Sequence, residues 1–236
     1  MAPALEKSLV SCREEMLVKI TEYFRPLALE AHVFGSIGKN TSDSLSDVDI
    51  WITFTDEETP TEIERRFETY DRFGEVVLFH EAQQNFPLNG NYSLVLYKTG
   101  AGLLQVDFFF APLSSSRVGD GSKVFFEKTP IERGEMIYDH KRVKKGPEDR
   151  VNFLLCMCFI GVKKIVRKKI QFIDFLVTEY LKLKADSFPQ LVNIQNGGDS
   201  ETLLKVLDGL SVVSDEPQKK AGRAISDFLV KVEVSR

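Results

Sequence analysis

The sequence predicts an α+β protein: an N-terminal mixed β-sheet with flanking helices, followed by a C-terminal helical domain. Five short apolar runs rich in β-branched and aromatic residues lie within residues 31–111, whereas the later part of the chain has helical periodicity. With 236 residues, 43% of them hydrophobic, the chain can bury a substantial core. The polar segment at 140–149 marks a composition break, so residues 1–140 and residues 141–236 are predicted to be separate domains.

The predicted N-terminal domain begins with a helix over residues 4–24, where apolar residues recur at helical spacing and Pro26 ends the segment. A second helix is predicted at 59–74, because this segment starts with a threonine and early glutamates and closes on Gly74. The five predicted strands cover residues 31–35, 47–54, 75–81, 92–98 and 103–111.

The predicted C-terminal domain follows a polar loop after Pro112. Residues 149–184 form a long periodic apolar stretch that contains the basic cluster KKIVRKK. A further helix begins at SETLLKVLDGL with Ser200 as its cap, and the segment EPQKKAGRAISDFLVKV closes the chain as another helix.

Composition excludes several classes of function. The net charge of −4 provides no overall positive field, which argues against DNA binding and disfavours RNA as a partner. The three cysteines, Cys12, Cys156 and Cys158, lie in apolar or helical contexts that suit a reducing compartment. The first twenty residues carry charges throughout, and no apolar run reaches the length of about 18 residues that spans a membrane. We therefore expect a cytoplasmic protein without membrane contact.

Two carboxylates open the second predicted strand, in the stretch VFGSIGKNTSDSLSDVDIWITF. Side chains alternate along a strand, so Asp47, Asp49 and Trp51 share one side. Carboxylates this close repel each other unless a positive charge lies between them, and such oxygen ligands suit Mg²⁺. Asp107 is the one charged residue in the apolar run LLQVDFFFAPL, where burial without a partner would be costly. If its strand neighbours the second strand, Asp107 joins the pair.

Small residues precede these carboxylates. Gly35 and Ser36 directly follow the first predicted strand, where backbone N–H groups and a hydroxyl at a helix start can hold phosphate oxygens. A simple helix cap is the alternative explanation for Ser36, and the two roles are compatible. A strand, a phosphate-holding turn and paired acids together form one coherent candidate site.

This arrangement resembles the nucleotidyltransferase superfamily, whose members have a polymerase-β-like catalytic core. The resemblance rests on Gly35-Ser36, ten intervening residues, the segment 47–49 reading Asp-Val-Asp, and Asp107 on a later strand, and it extends over about residues 30–112. The later helical region resembles, in layout, the C-terminal domain of small bacterial members that adenylylate aminoglycoside or lincosamide antibiotics.

The resemblance implies a role for each acidic residue. Asp47 and Asp49 would hold Mg²⁺ on the triphosphate of ATP, which Gly35 and Ser36 would bind. Asp107 would ligate a second Mg²⁺ or accept the proton of the acceptor hydroxyl, and both roles remain open. Two metal ions would stabilise the entering and leaving oxygens at the α-phosphorus, and pyrophosphate would be released.

Three lysines are candidates for contact with the nucleotide. Many relatives carry a basic residue shortly after the Gly-Ser pair, so Lys39 would neutralise phosphate charge, although loop lysines are often simply solvated. Lys163 and Lys164 have apolar neighbours in the basic cluster, and Lys168 is expected one turn from Lys164 on the same helix face. A solvated charged face is the alternative for this cluster.

The predicted function is Mg²⁺-dependent transfer of AMP from ATP to a hydroxyl of a small molecule, such as an aminoglycoside or lincosamide antibiotic. The acidic run at 56–64 favours a cationic acceptor but is equally explained as a solvated helix start. The alternatives are a protein-modifying adenylyltransferase of the toxin–antitoxin type, an RNA-tailing enzyme, and a nucleotide-binding regulator without turnover. A homodimer formed through a helical face is compatible with the sequence.

Overall fold

The structure is a computed structural model that describes residues 1–139 and 146–235. The chain divides into two compact units. The predicted domain boundary between residues 140 and 141 lies outside the described residues and stays a prediction. The unit that contains most of the sheet comprises residues 6–76 and 81–143, and the helical unit comprises residues 1–5, 77–80 and 144–236.

Six strands form a mixed β-sheet. They are β1 (Glu30–Val33), β2 (Val48–Phe54), β3 (Glu75–His80), β4 (Asn91–Lys98), β5 (Leu103–Pro112) and β6 (Lys123–Glu127). Their order across the sheet is β3-β4-β5-β2-β1-β6. The pair β2 and β5 is parallel, whereas β1 runs antiparallel to β2 and β6, and β4 runs antiparallel to β5. The predicted α+β class is confirmed.

The two faces of the sheet differ in chemistry because side chains alternate along each strand. One face forms the main apolar core, to which β2 contributes Val48, Ile50 and Ile52, and α1 (Pro3–Leu27) contributes Phe24. The opposite face carries the polar and aromatic residues that alternate with this set. It is this second face that holds the predicted acidic site.

The strand β6 was not predicted from the sequence. It has the five residues KVFFE, whose valine and phenylalanines are typical of a strand, but it lies directly after the polar loop predicted beyond Pro112. It pairs with β1 at the edge of the sheet, and the register shifts between Ala31 and His32. Its composition and its pairing with β1 both favour a strand.

Helices of the sheet-bearing part differ from the prediction at their ends. The expectation that Pro26 ends the first helix is wrong, because α1 includes this residue in its last turn. A proline there removes few hydrogen bonds, and the N–H of Ala28 still donates to the carbonyl of Phe24 at 2.8 Å. The predicted helix at 59–74 is two short helices, α3 (Thr59–Glu64) and α4 (Arg66–Asp71), which follow the single turn α2 (Gly35–Gly38).

The helical unit contains α5 (Pro147–Val166), α6 (Phe172–Asp186), α7 (Ser200–Ser211) and α8 (Glu216–Val234), and α5 contacts the other three. The prediction that Ser200 caps α7 is wrong: Asp199 is the cap, and its carboxylate accepts the N–H of Thr202 at 3.0 Å. Among the described residues, no helix is long and apolar enough to cross a membrane.

Candidate active site

The parallel pairing of β2 and β5 aligns Asp49 with Asp107. Neighbouring strands lie about 4.8 Å apart, and paired positions direct their side chains to the same face. Asp49 is half-buried and Asp107 is 7% exposed. Two carboxylates in this position repel each other, which favours a bound cation. The expectation that the two strands are neighbours is confirmed, whereas the catalytic roles of both residues stay a prediction.

The prediction that Asp47 begins the second strand is wrong by one residue, because β2 begins at Val48 and Asp47 lies in the loop before it. A buried arginine on α1 supports this loop. The Nη1 atom of Arg13 donates to the backbone carbonyl of Asp43 at 2.5 Å and lies 3.5 Å from that of Ser46. Burial lowers the pKa of Arg13, and the negative charges of Glu14, Asp43 and Asp47 oppose this shift. A buried guanidinium therefore supports the loop from which Asp47 projects.

The loop is also held by its own side chains. The Oδ1 atom of Asp43 accepts the N–H of Leu45 and the hydroxyl of Ser46, each at 3.0 Å. The Oγ atom of Ser46 in turn accepts the N–H of Asp43 at 2.9 Å. The sequence prediction missed Arg13, although its place in the buried stripe of α1, four residues after Leu9, is a usable signal.

The main chain at Gly35 lies directly against the Asp49 carboxylate. Its φ of +62° lies in the left-handed region, and a Cβ atom at this position would overlap the Asp49 carboxylate. The neighbouring N–H of Phe34 donates to the carbonyl of Asp49 at 3.1 Å. Ser36 is the second residue of α2 and is half-buried. The first N–H groups of α2 lie beyond its own hydrogen-bonding pattern, which leaves them available to a ligand.

Lys39 directly follows α2 and is exposed. Its aliphatic stem lies against Gly121, where a Cβ atom would be 3.1 Å from the Lys39 Cγ. Gly38 allows α2 to approach the same segment, since a Cβ there would be 2.5 Å from the carbonyl oxygen of Gly121. The stem of Lys39 is therefore held against Gly121, and Lys39 follows Gly35 by four residues in the chain.

Gln105 is a polar partner of Asp107 that the prediction missed. Its Nε2 atom donates to both carboxylate oxygens of Asp107, at 3.0 and 2.9 Å. The two residues are two apart on β5 and therefore share a face of the sheet. A glutamine two positions before an aspartate in an otherwise apolar strand is the signal that was available.

The aromatic residues near the site belong to the core. Trp51 and Tyr92 are buried, which supports core packing over stacking on a base. Trp51 stacks on Phe109 with ring centroids 5.7 Å apart, and Tyr138 meets Trp51 edge-on at 6.0 Å. Burial and the negative charge of Asp49 raise the pKa of Tyr138, so this phenol lies close enough to Asp49 to interact with its charge.

The two lysines proposed to contact the nucleotide lie on α5 of the helical unit. Lys163 is 2% exposed, with its Nζ 5.1 Å from the ring centroid of Phe159, and the Nζ of Lys164 lies 5.9 Å from that of Phe172. The expectation that Lys168 continues the same helix face is wrong, because α5 ends before it and its φ is 58°. Nucleotide contact by Lys163 and Lys164 stays a prediction.

A metal site of three ready-made protein ligands is absent from the described residues, 1–139 and 146–235: no three His, Cys, Asp or Glu side chains converge there. The register-paired carboxylates of Asp49 and Asp107 nevertheless fit Mg²⁺, which commonly binds to one or two carboxylates together with substrate phosphates. Asp47 as a further ligand stays a prediction.

Comparison with known families identifies the family of the chain. The model of the nucleotidyltransferase domain family matches residues 15–173, which is more than half of the chain and includes every predicted site residue. Comparison with curated proteins gives no match. The extent of the family match is sufficient for assignment: the chain belongs to the nucleotidyltransferase domain family.

Proposed function

We propose that the protein is a Mg²⁺-dependent adenylyltransferase that transfers AMP from ATP to a hydroxyl group of a small molecule. Membership of the family accounts for nucleotidyl transfer, and the choice of ATP and of the acceptor is our proposal. The observation that carries it is the parallel register that pairs Asp49 with Asp107 beside Gly35.

Asp49 and Asp107 would hold the divalent cation, and Asp47 would complete the acidic set. When bound, Mg²⁺ offsets the charge of the triphosphate and favours displacement at the α-phosphorus, and family relatives suggest two such ions. Because α2 begins against Asp49, a triphosphate bound by Ser36 and the first N–H groups of α2 would lie next to the carboxylates. Lys39 would contribute a nearby positive charge.

In the proposed reaction, the acceptor hydroxyl oxygen forms a bond to the α-phosphorus, and the bond from that phosphorus to the β-phosphate bridging oxygen breaks. The products are the adenylylated acceptor and pyrophosphate, and the hydroxyl proton passes to Asp107 or to solvent. The protein contributes mainly position and charge, as in other phosphoryl-transfer sites.

The acceptor class rests on the layout of the helical part, which resembles that of aminoglycoside and lincosamide adenylyltransferases. The acidic run at 56–64 adds little to it, because two of its carboxylates already accept hydrogen bonds from the protein. Glu58 accepts the hydroxyl of Thr55 at 2.8 Å, and Asp56 accepts the N–H of Ser114 at 3.0 Å.

The free thiol state of the three cysteines supports a cytoplasmic location.

The proposal is tested with ATP labelled at the α-phosphate, Mg²⁺ and a panel of aminoglycosides and lincosamides. We expect label on a small molecule and none with Asp47→Asn, while the exposed control Asp71→Asn retains transfer. Label on a protein band would instead identify a toxin–antitoxin type of enzyme, and extension of an RNA primer an RNA-tailing enzyme. ATP binding without transfer to any acceptor would identify a regulator.

A further inference from the structure

We propose that Gln105 is a positioning residue that fixes the carboxylate of Asp107 for a divalent cation. The inference rests on the proposed function, in which Asp107 is a metal ligand. It assigns a role to a residue outside the acidic motif and favours the metal-ligand role of Asp107 over the proton-acceptor role.

The contact is symmetric. The Nε2 atom of Gln105 lies 3.0 Å from Oδ1 and 2.9 Å from Oδ2 of Asp107, so the amide nitrogen sits nearly equidistant from the two carboxylate oxygens. One amide N–H points between the two oxygens and is shared by both as a bifurcated hydrogen bond, which holds the carboxylate in place. The chemistry fixes the amide orientation, because the opposite flip would bring the Gln105 carbonyl oxygen against two negatively charged oxygens.

The surroundings hold Gln105 in this position. It is 3% exposed, and its partner across the antiparallel pair with β4 is Leu96, which is buried. Asp107 is flanked on that side by Leu94, also buried, and on the other side by Asp49 of β2. Across the strands, the Asp107 carboxylate therefore has an apolar neighbour on one side and an acidic neighbour on the other. Gln105 therefore holds the Asp107 carboxylate beside the space between Asp49 and Asp107, where the proposed cation would bind.

The residue type matters because glutamine is neutral. An amide orients a carboxylate through hydrogen bonds without cancelling its charge, whereas lysine or arginine at this position would compete with a cation for Asp107. A glutamate would add a third negative charge and no donor. The oxygens of Asp107 retain acceptor capacity, since each carboxylate oxygen accepts more than one bond.

The test is direct Mn²⁺ binding to the full chain, measured by electron paramagnetic resonance without nucleotide, beside the Mg²⁺ dependence of transfer. We expect Gln105→Leu to weaken Mn²⁺ binding by about 10–100-fold, as outer-shell partners of metal ligands do. Gln105→Asn, whose amide is one methylene too short to reach Asp107, should have a similar effect. In an Asp107→Asn background, Gln105→Leu should cause no further loss, because the variants remove one shared interaction.

A matched control is Gln218→Leu. Gln218 is also buried, and its Nε2 donates to Oδ1 of Asn152 at 2.9 Å within the helical unit, so its loss should lower stability without changing Mn²⁺ affinity. Wild-type Mn²⁺ affinity in both Gln105 variants, or an undiminished effect of Gln105→Leu in the Asp107→Asn background, would overturn the inference. If Asp107→Asn itself leaves Mn²⁺ binding unchanged, the proposed cation site is wrong, which is a separate result.

Discussion

Two carboxylates lie on the same face of the sheet, one near each end of β2, in opposite surroundings. Near its end, Thr53 pairs in register with Glu30 of β1, whose carboxylate is fully buried. One Glu30 oxygen lies 2.8 Å from Nδ1 of His32, and the other accepts from Thr53 at 2.9 Å. Near its start, Asp49 pairs with another carboxylate, that of Asp107.

The hydrogen-bond network around Glu30 continues into the aromatic core. The Oγ atom of Ser116 lies 3.0 Å from Oγ1 of Thr53 and accepts the indole N–H of Trp51 at 3.2 Å. It donates in turn to the carbonyl of Pro112 at 3.0 Å. Each carboxylate oxygen of Glu30 therefore has a protein partner, as expected for a buried acid that serves stability.

The difference teaches how to separate structural from functional carboxylates in this sheet. Both kinds are acidic residues within apolar strands, and burial alone does not distinguish Glu30 from Asp107. The two acids have different neighbours in register: Glu30 lies against an imidazole and a hydroxyl, whereas Asp107 is aligned with a second carboxylate and contacts a neutral amide. Like charges held together are characteristic of sites that bind a cation.

The largest expected effect is the loss of transfer in Asp49→Asn. We expect transfer to fall by about 10²–10³-fold, because a ligand of the cation that offsets the phosphate charge is removed. Stability should be unchanged or higher, because the repulsion from Asp107 is relieved. Turnover and urea unfolding of the same preparations check both parts. A stability loss without a loss of turnover would break the comparison, since Asp49 would then behave like Glu30.

The converse substitution is Glu30→Gln. We expect it to lower the free energy of unfolding by about 3 kcal/mol, because it disrupts a buried pair with His32. The fluorescence of Trp51, the single tryptophan, reports unfolding of this region in urea. The exposed control Glu57→Gln should change stability by less than about 0.5 kcal/mol. Equal stabilities of the two variants would contradict the assigned structural role of Glu30.

A smaller effect is expected for Gly35→Ala. The left-handed backbone and the overlap with the Asp49 carboxylate should together reduce transfer by about 10-fold, through displacement of Asp49. Gly100→Ala is the matched control, because no atom lies within 4 Å of an added Cβ there. Equal activity of the two variants would mean that Asp49 tolerates displacement and would weaken the case for its catalytic role.

The smallest effect is expected for Lys39→Met. Methionine preserves the apolar stem that packs against Gly121 and removes the charge. We expect the KM for ATP to rise by about 3–10-fold with kcat unchanged, as for a contact made equally in the ground and transition states. Initial rates over a range of ATP concentrations measure this. An unchanged KM would assign Lys39 to the solvated loop lysines.

Much of the architecture followed from local patterns. Alternation and β-branched content predicted five of the strands, and the position of Asp47 and Asp49 at the start of an apolar strand predicted the acidic motif. Local signals failed where two candidates compete for one role, as Asp199 and Ser200 do for the cap of α7. They also failed at Pro26, because a proline in the last turn of a helix destabilises it little. The prediction also missed β6, although its valine and phenylalanines are typical of a strand.

The sequence by itself determined the fold class, the faces of β2 and the acidic candidates, because strand periodicity is a property of adjacent residues. Only the tertiary structure decided that Asp49 and Asp107 share a register and that Arg13 braces the loop before Asp47. It also placed Glu30 against an imidazole and a hydroxyl, and Asp49 in register with Asp107. Strand register and side-chain partners depend on contacts between distant parts of the chain, which no local pattern encodes.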